Sequence, residues 1–312
     1  MAGRQPTAYH IKTEVQFMKR KTKEIIIKNT FLFIALVSIV ILGLIIIFLF
    51  MEGIPVFKVV SFRDFIFGVE WYPTYDPPSF GIGALIIGSF IVTFFASIIA
   101  IPLGILSAVY ISEIAAPLIK EIFKPVIELL AGLPSVVLGF FGMAVLAPWL
   151  QETFDLPTGL NIVNASLLLA LMAVPTIASI SEDALYSVPQ EFKEASYALG
   201  ATRFETIAKV IVPAALSGIS TAVILGMARA IGETMVVLMV AGGAASIPES
   251  IFDSVRPMPA SIAAEMGEAP FRSDHYYALF ATGIVLFLLT FCFNLVADYI
   301  SHKFKQVGSA TL

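Results

Sequence analysis

Six apolar tracts recur along the 312 residues of this chain, and each is about long enough to cross a lipid bilayer. A spanning helix needs about 20 mainly apolar residues, because lipid offers no partner for a free backbone amide. Only 13% of the residues are charged, about half the share found in soluble domains. The chain is therefore predicted to be an all-α integral membrane protein with six transmembrane helices. The tracts cover residues 31–50, 82–110, 126–148, 162–181, 214–241 and 276–298.

Lysine and arginine residues are unevenly divided between the two sides of this predicted bundle. Fourteen lie before the first tract, in loops 111–125 and 182–213, or in the tail, whereas four lie in the opposite loops. Because basic residues concentrate on the cytoplasmic side, both termini are predicted to be cytoplasmic. The first tract is predicted to be a retained span, since it is about twice a signal-peptide core and no A-x-A site follows it.

The cytoplasmic loop 182–213 is predicted to contain two short helices that meet at an angle. Ser187-x-x-Gln190 and Thr202-x-x-Glu205 both fit the capping box, which satisfies free amides at a helix start. Gly200 lies between them and suits the left-handed residue that ends a helix. The first helix carries Phe192, Ala195, Ser196 and Leu199 on one face. An amphipathic helix resting on the membrane surface is the alternative.

Arg229 and Glu233 are charged residues within the fifth tract, and such residues mark functional sites in membranes. They are four residues apart, so a continuous helix stacks them on one face together with Gly226. The guanidinium suits a tetrahedral oxyanion geometrically. Three roles stay open: contact with a passing anion, a gating or assembly pair, and a purely structural ion pair.

Pro134 and Ser135 form a second candidate pathway element, in the third tract. Proline frees a carbonyl and kinks or unwinds a helix, and transporters use such breaks to expose amides to anions. A kink that serves only packing is the alternative. In the outer loop, 259–269 is predicted to be a short helix near the bundle, with Glu265 and Glu268 as solvated surface charges.

The cytoplasmic loop also resembles the EAA signature of ABC-importer permeases. The match runs through Glu194-Ala-Ser-Tyr-Ala-Leu-Gly200 and, nine residues later, Val210-Ile-Val-Pro213. In that family this segment is the coupling helix, which seats in a groove on an ATPase subunit. The resemblance implies a type I ABC importer permease fold, with ATPase coupling carried by Glu194, Ala195, Ser196, Gly200, Phe192, Leu199 and Arg203.

Three further motifs resemble the PstC-type permeases of phosphate-specific importers. They are Leu133-Pro-Ser-Val-Val-x-Gly-Phe-Phe-Gly142, Gly226-x2-Arg-Ala-Ile-Gly-Glu-Thr-Met235 and Ser261-Ile-Ala-Ala-Glu-Met-Gly-Glu268. The resemblance implies half of a phosphate pore in the cell (inner) membrane, with a substrate pathway at Arg229, Glu233, Ser135 and Pro134. Its expected partners are a PstA-like second permease, an ATPase dimer, an extracytoplasmic phosphate-binding protein and membrane lipid, with no nucleic acid.

The chain has no G-x4-G-K-[ST] phosphate loop. ATP and Mg are therefore expected in the ATPase partner, and the chain is expected to hold no cofactor or metal and not to be an enzyme. The alternatives are an ABC permease for another oxyanion (sulfate, molybdate or phosphonate) and an ATP-independent channel. The predicted organisation is a basic cytoplasmic arm (1–29), a first transmembrane helix (30–51), an external loop (52–80), a permease core with coupling helices at 187–212 (81–299) and a cytoplasmic tail (300–312).

Overall fold

Five helices in the described part of the chain are long and apolar enough to cross a bilayer, and a bent pair adds a sixth span. The structure is a computed structural model that describes the backbone of residues 8–304 and the side chains of residues 23–299, apart from residue 297. The outer ends of the predicted arm and tail, 1–7 and 305–312, lie outside the described residues. The helical membrane fold predicted from the apolar tracts is confirmed.

The chain divides after Glu52 into two units. In its described part the first unit is helical from Ala8, so the predicted arm and first span are one continuous helix. The helices are α1 Ala8–Gly53, α2 Phe62–Phe67, α3 Gly83–Val109, α4 Pro117–Ala131, α5 Ser135–Phe141, α6 Ala147–Phe154, α7 Ile162–Tyr186, α8 Gln190–Ala198, α9 Arg203–Thr206, α10 Val212–Ala214, α11 Leu216–Ile231, α12 Met235–Val240, α13 Met258–Glu265 and α14 Asp274–Phe304. Short 3₁₀ and π segments adjoin them at Ile54–Lys58, Tyr110–Ile114, Gly142–Leu146 and Ile207–Ile211.

Two of the predicted spans are broken. The third tract begins in α4, is interrupted at 132–134, and continues as the span Ser135–Phe154. The fifth tract consists of α11 and α12, separated at 232–234, and a 70° bend separates α11 from the segment Arg203–Ala214 before it. Glycine and proline at these positions weaken or prevent helical hydrogen bonding, which gives each break a local cause.

Helix α7 lies at the centre of the second unit, where it packs along α3, α11 and α4. Ile177 of α7 is fully buried between two glycines, Gly104 of α3 and Gly226 of α11. Small residues let membrane helices approach closely, so dispersion contacts hold the bundle together. The largest apolar cluster of the second unit is built around this helix.

The external loop folds onto the outer ends of the core helices. Strands β1 (Trp71–Tyr72) and β2 (Ser79–Phe80) form an antiparallel hairpin in which Trp71 pairs with Phe80. The side chains of Phe65, Trp71 and Phe80 pack in an apolar cluster with residues of α3, α13 and α14. Tyr72 and Tyr75 stack at 4.9 Å and stay exposed. Trp71 is 2% exposed and is thus a core residue of this cluster.

Candidate functional site: the elbow and the broken helices

The predicted pair of short cytoplasmic helices is present, and residues 190–214 are called the elbow below. Helix α8 ends before Gly200, whose φ of +82° lies in the left-handed region that favours glycine. Thr202 then starts α9 with a complete capping box to Glu205, as predicted. The Ser187 cap was wrong, because α8 begins after Pro189 and the Ser187 hydroxyl donates to the Ala184 carbonyl.

One face of the elbow is apolar and uncovered. Leu199 is 90% exposed and Phe204 78%, and Phe192 and Ala195 are exposed as well. Exposed apolar patches of this kind mark interaction surfaces. This face carries three of the residues predicted for ATPase coupling, Phe192, Ala195 and Leu199, and Glu194 is exposed on the opposite side of α8.

Ser196 and Arg203 differ from the other predicted coupling residues in their contacts. Ser196 is buried, and its hydroxyl lies 2.9 Å from the Thr206 hydroxyl, which links α8 to α9. Ser196 is therefore covered by α9, while helical spacing keeps it on the side of α8 that carries Phe192. Arg203 is exposed, and its guanidinium donates to the backbone carbonyl of Glu113.

The hydrogen bonds of Thr202 stabilise the charged form of the Glu205 carboxylate. The backbone amide and the hydroxyl of Thr202 donate to the Glu205 carboxylate at 3.0 and 2.9 Å. These bonds favour the ionised form, so the pKa of Glu205 is lowered, first by the backbone bond. The carboxylate is therefore charged, and the capping box complete, throughout the physiological range.

A buried carboxylate fixes α4 to the cytoplasmic end of α7. The side chain of Glu182 is 4% exposed and contacts Lys120 at 3.0 Å and Lys124 at 2.6 Å. Lys124 also pairs with Asp183 at 2.9 Å. The hydrogen bonds to Glu182 and then Asp183 raise the pKa of Lys124 above its ordinary value, so the lysine stays charged. No sequence motif marks this cluster, because its lysines and its carboxylates lie about 60 residues apart.

Arg229 and Glu233 do not face each other, because α11 ends at Ile231 and α12 begins only at Met235. The Arg229 guanidinium donates to the Ala131 carbonyl at 3.2 Å and to the Thr176 hydroxyl at 3.4 Å. The Glu233 carboxylate accepts from the amides of Met235 and Val236 at 3.1 and 3.3 Å. The predicted stacking of the two charges was therefore wrong. Gly232 lies between the two residues and is the sequence signal for this helix break, because glycine disfavours a helix interior.

The two helix breaks lie beside each other in space. Arg229, near the end of α11, contacts the carbonyl at the end of α4, while α5 packs against α12. A Cβ on Gly139 of α5 would lie 2.7 Å from the Met239 sulfur of α12. Pro134 precedes the first residue of α5, Ser135, so the proline marks a helix start and not a kink within a helix.

Arg229 is exposed in this chain, although it lies in an apolar span. A guanidinium has five N–H donors, and its two contacts with the protein leave donors free for an incoming acceptor. Arg229 therefore keeps free N–H donors at the level of the breaks. Its contacts also place it at the carbonyl end of α4, where a positive charge is favoured.

Glu265 is the centre of a buried polar cluster at the outer side, so its prediction as a solvated surface charge was wrong. Trp71 Nε1 donates to its two carboxylate oxygens at 3.0 and 2.9 Å, and His275 Nε2 lies 2.8 Å from Oε2. The Arg256 guanidinium pairs with Oε1. Glu268 is exposed, as expected. The cluster ties the external hairpin to α13 and α14.

Apolar spanning helices, two neighbouring breaks and an exposed cytoplasmic elbow together define a multi-pass membrane permease. Residues 100–306 match the family model described as binding-protein-dependent transport system inner membrane component. The chain belongs to this family, so it is a permease component of the inner membrane and is not itself catalytic.

Similar proteins agree with this assignment. The probable ABC transporter permease protein YqgH of Bacillus subtilis is 43% identical over 261 residues, 83% of this chain and 84% of that protein. The phosphate transport system permease protein PstC of Pasteurella multocida is 34% identical over 251 residues, 74% of this chain and 78% of that protein. Among solved structures, a chain of a bacterial alginate ABC transporter aligns with a TM-score of 0.62 at 16% identity, covering 90% of this chain and 97% of that chain. This last similarity confirms the type I importer permease fold.

Proposed function

We propose that this chain forms half of the pore of an ATP-driven importer of inorganic phosphate. The exposed apolar face of the elbow carries the proposal, because it supplies a contact for a motor that the chain lacks. The choice of phosphate as the substrate rests on relatives described as phosphate transport permeases, at up to 34% identity.

The remaining parts of the transporter are separate proteins in this proposal. An ATPase dimer binds ATP and Mg and receives the elbow of each permease. A PstA-like permease supplies the other half of the pore, and an extracytoplasmic binding protein delivers phosphate. Membrane lipid covers the remaining apolar surface of the spans.

Transport then proceeds by alternating access. Closure of the ATPase dimer on ATP moves the elbow and opens the pore outward, and the binding protein releases phosphate into it. Hydrolysis returns the inward state. A ligand shifts a conformational equilibrium only by its differential affinity for the two states, so ATP and not phosphate supplies the driving force.

Arg229 is the residue that meets phosphate in the pore. Its side chain is exposed at the level of the two breaks, and its free N–H donors match the oxygens of a tetrahedral oxyanion. Glu233 holds the start of α12 in place, and Pro134 and Ser135 form the opposing break. These four residues make up the proposed pathway in this half of the pore.

The test is uptake by the assembled complex in proteoliposomes that contain ATP. We expect concentrative phosphate uptake that requires an active ATPase and resists competition by excess sulfate, molybdate or phosphonate. Equal competition by one of those anions would assign the permease to that oxyanion. Uptake that persists with an inactive ATPase would instead identify an ATP-independent channel.

Substitution of Arg229 tests the pathway separately. A hydrogen bond to a charged group contributes about 1.5–3 kcal/mol, so Arg229→Gln is expected to slow uptake by about tenfold or more. Arg229→Lys keeps the charge without the planar fork and is expected to fall between Gln and the native residue. Arg63→Gln, an exposed arginine of the external helix α2, is the control. Normal uptake by both Arg229 variants would exclude a role in translocation.

A further inference from the structure

Glu113 is a shielded carboxylate at the cytoplasmic end of α3, where the helix continues as the π segment Tyr110–Ile114. Its side chain is 9% exposed and that of Lys193, in the elbow, is 14% exposed. Lys193 Nζ donates to the two carboxylate oxygens of Glu113 at 2.8 and 3.0 Å. The Ser112 hydroxyl donates to Oε1 at 3.1 Å. The carboxylate of Glu113 is therefore held by three hydrogen bonds.

The second helix of the elbow contacts the same residue. Arg203, the first residue of α9, donates through its guanidinium to the backbone carbonyl of Glu113. Lys193 precedes the Gly200 turn and Arg203 follows it, so Glu113 joins both helices of the elbow to α3. Helices α8 and α9 are also joined to each other, through the hydrogen bond between the Ser196 and Thr206 hydroxyls.

The shielding of the Glu113–Lys193 pair distinguishes it from the other ion pair of the elbow. Glu205 and Lys209 lie 3.4 Å apart with side chains 45% and 75% exposed, and water screens such a pair. Loss of one partner of a shielded pair leaves the other charged in a poorly solvated place, which destabilises that arrangement strongly. The elbow is therefore fixed to α3 more firmly through Glu113 than an exposed contact would allow. π segments of this kind are frequent at functional sites.

Helix α3 connects this point with the outer side of the second unit. The Ser89 hydroxyl, near the other end of α3, accepts from the Met258 amide at 2.9 Å. Ser89 and Glu113 are 24 residues apart in sequence, or about 36 Å along a helix. Met258 begins α13, the helix that carries Glu265. Helix α3 therefore contacts the elbow at one end and α13 near the other.

We propose that Glu113 is the positioning residue through which movement of the elbow is transmitted to α3. The proposal rests on the proposed function, because it assigns the movement to an ATPase bound at the elbow. In this mechanism Glu113 touches neither substrate nor ATP. Its carboxylate keeps α8 and α3 moving together. Without the carboxylate α3 follows the elbow less, although the Arg203 bond to the backbone carbonyl and the apolar cluster of Ala108 and Ile211 still connect them.

The test uses the assembled complex with Glu113→Gln, Lys193→Gln and the exchanged pair Glu113→Lys with Lys193→Glu. Lys209→Gln is the matched control, since it removes a lysine of the same elbow from an exposed pair. Two quantities are measured: phosphate transported per ATP hydrolysed, and the ATP-induced change in amide hydrogen exchange of residues 107–115 and 190–198. The exchange measurement needs no phosphate, so it decides this proposal even if the substrate assignment fails.

In Glu113→Gln the ATPase is expected to stay bound and to hydrolyse ATP. Phosphate moved per ATP should fall about fivefold or more, since coupling between two sites usually amounts to at least that factor. Residues 190–198 should still respond to ATP, and residues 107–115 should respond less than in the native complex. The exchanged pair should recover part of both readouts, and Lys209→Gln should match the native complex. An unchanged response of 107–115 in Glu113→Gln overturns the proposal, as does an exchanged pair no better than the single variants.

Discussion

Gly226→Ala is expected to force α11 away from α7, because Ile177 already fills the space that a methyl group needs. A Cβ on Gly226 would lie 2.5 Å from Ile177 Cγ1 and 3.0 Å from its Cδ1, and Ile177 is 0% exposed. Carbon atoms in contact lie about 3.5–4.0 Å apart, so the helices must separate by about 1 Å. Overpacking of this kind lowers the free energy of unfolding by about 1–3 kcal/mol.

Ile177→Ala combined with Gly226→Ala is expected to restore much of that loss. Alone, Ile177→Ala leaves a cavity and costs about 2–5 kcal/mol. In the double variant the new methyl group occupies part of the cavity, since the Ile177 atoms nearest to it are gone. The two changes should therefore be non-additive, with an interaction of about 1–3 kcal/mol in the stabilising direction.

Gly104→Ala provides the matched control on the opposite side of the same side chain. A Cβ there would lie 2.6 Å from Ile177 Cγ2 and also 2.7 Å from Ile177 Cβ, an atom that alanine retains. Ile177→Ala should therefore restore much less of the stability lost in Gly104→Ala than of the stability lost in Gly226→Ala. The assay is unfolding of the purified chain in mixed micelles, read as free energy. Equal relief of both glycine variants, or a Gly226→Ala chain of native stability, would refute this account of the packing.

Three further predictions concern the elbow and the outer cluster. Gly200→Ala and Gly243→Ala, both at positive φ with open space around the Cβ, should each lower stability by about 1–2 kcal/mol, but only the former should reduce ATPase co-purification. Glu265→Gln should lower the melting temperature through a loss of about 1.5–3 kcal/mol, because its partly buried arginine partner, Arg256, loses its counter-charge. Because the folded-state pKa of Glu205 is lowered, its capping contribution is complete above the ordinary pKa and is lost as the pH falls through the lowered one. The melting-temperature difference between native protein and Thr202→Ala should therefore shrink below about pH 4.

Local sequence signals predicted the parts of this fold that local chemistry controls. The apolar tracts located the spans, Gly200 located the turn, and Thr202-x-x-Glu205 located the start of α9. The turn and the helix start each depend on residues within one or two helical turns, and each span depends on a continuous apolar run. Ser187 failed as a cap because Pro189 sets the helix start two residues later.

Contacts between distant segments could not be predicted from the sequence. The partners of Glu265 include Trp71, which is 194 residues away, and Lys193 meets a carboxylate 80 residues away. No spacing rule connects such residues. The sequence therefore does not distinguish a carboxylate with several buried partners, such as Glu265, from a solvated surface carboxylate. Arg229 and Glu233 were close in sequence, yet the break at Gly232 separated them. Helix continuity was the assumption that failed there.

Labelling of residue 199 from each side of the membrane tests directly whether the elbow binds a cytoplasmic ATPase. Cys292 is the single cysteine, so Leu199→Cys with Cys292→Ser presents one thiol to a membrane-impermeant maleimide. We expect labelling only in inside-out vesicles stripped of ATPase, and protection when the ATPase is added back. Labelling in right-side-out vesicles, or labelling that the ATPase does not reduce, would contradict an ATP-driven elbow.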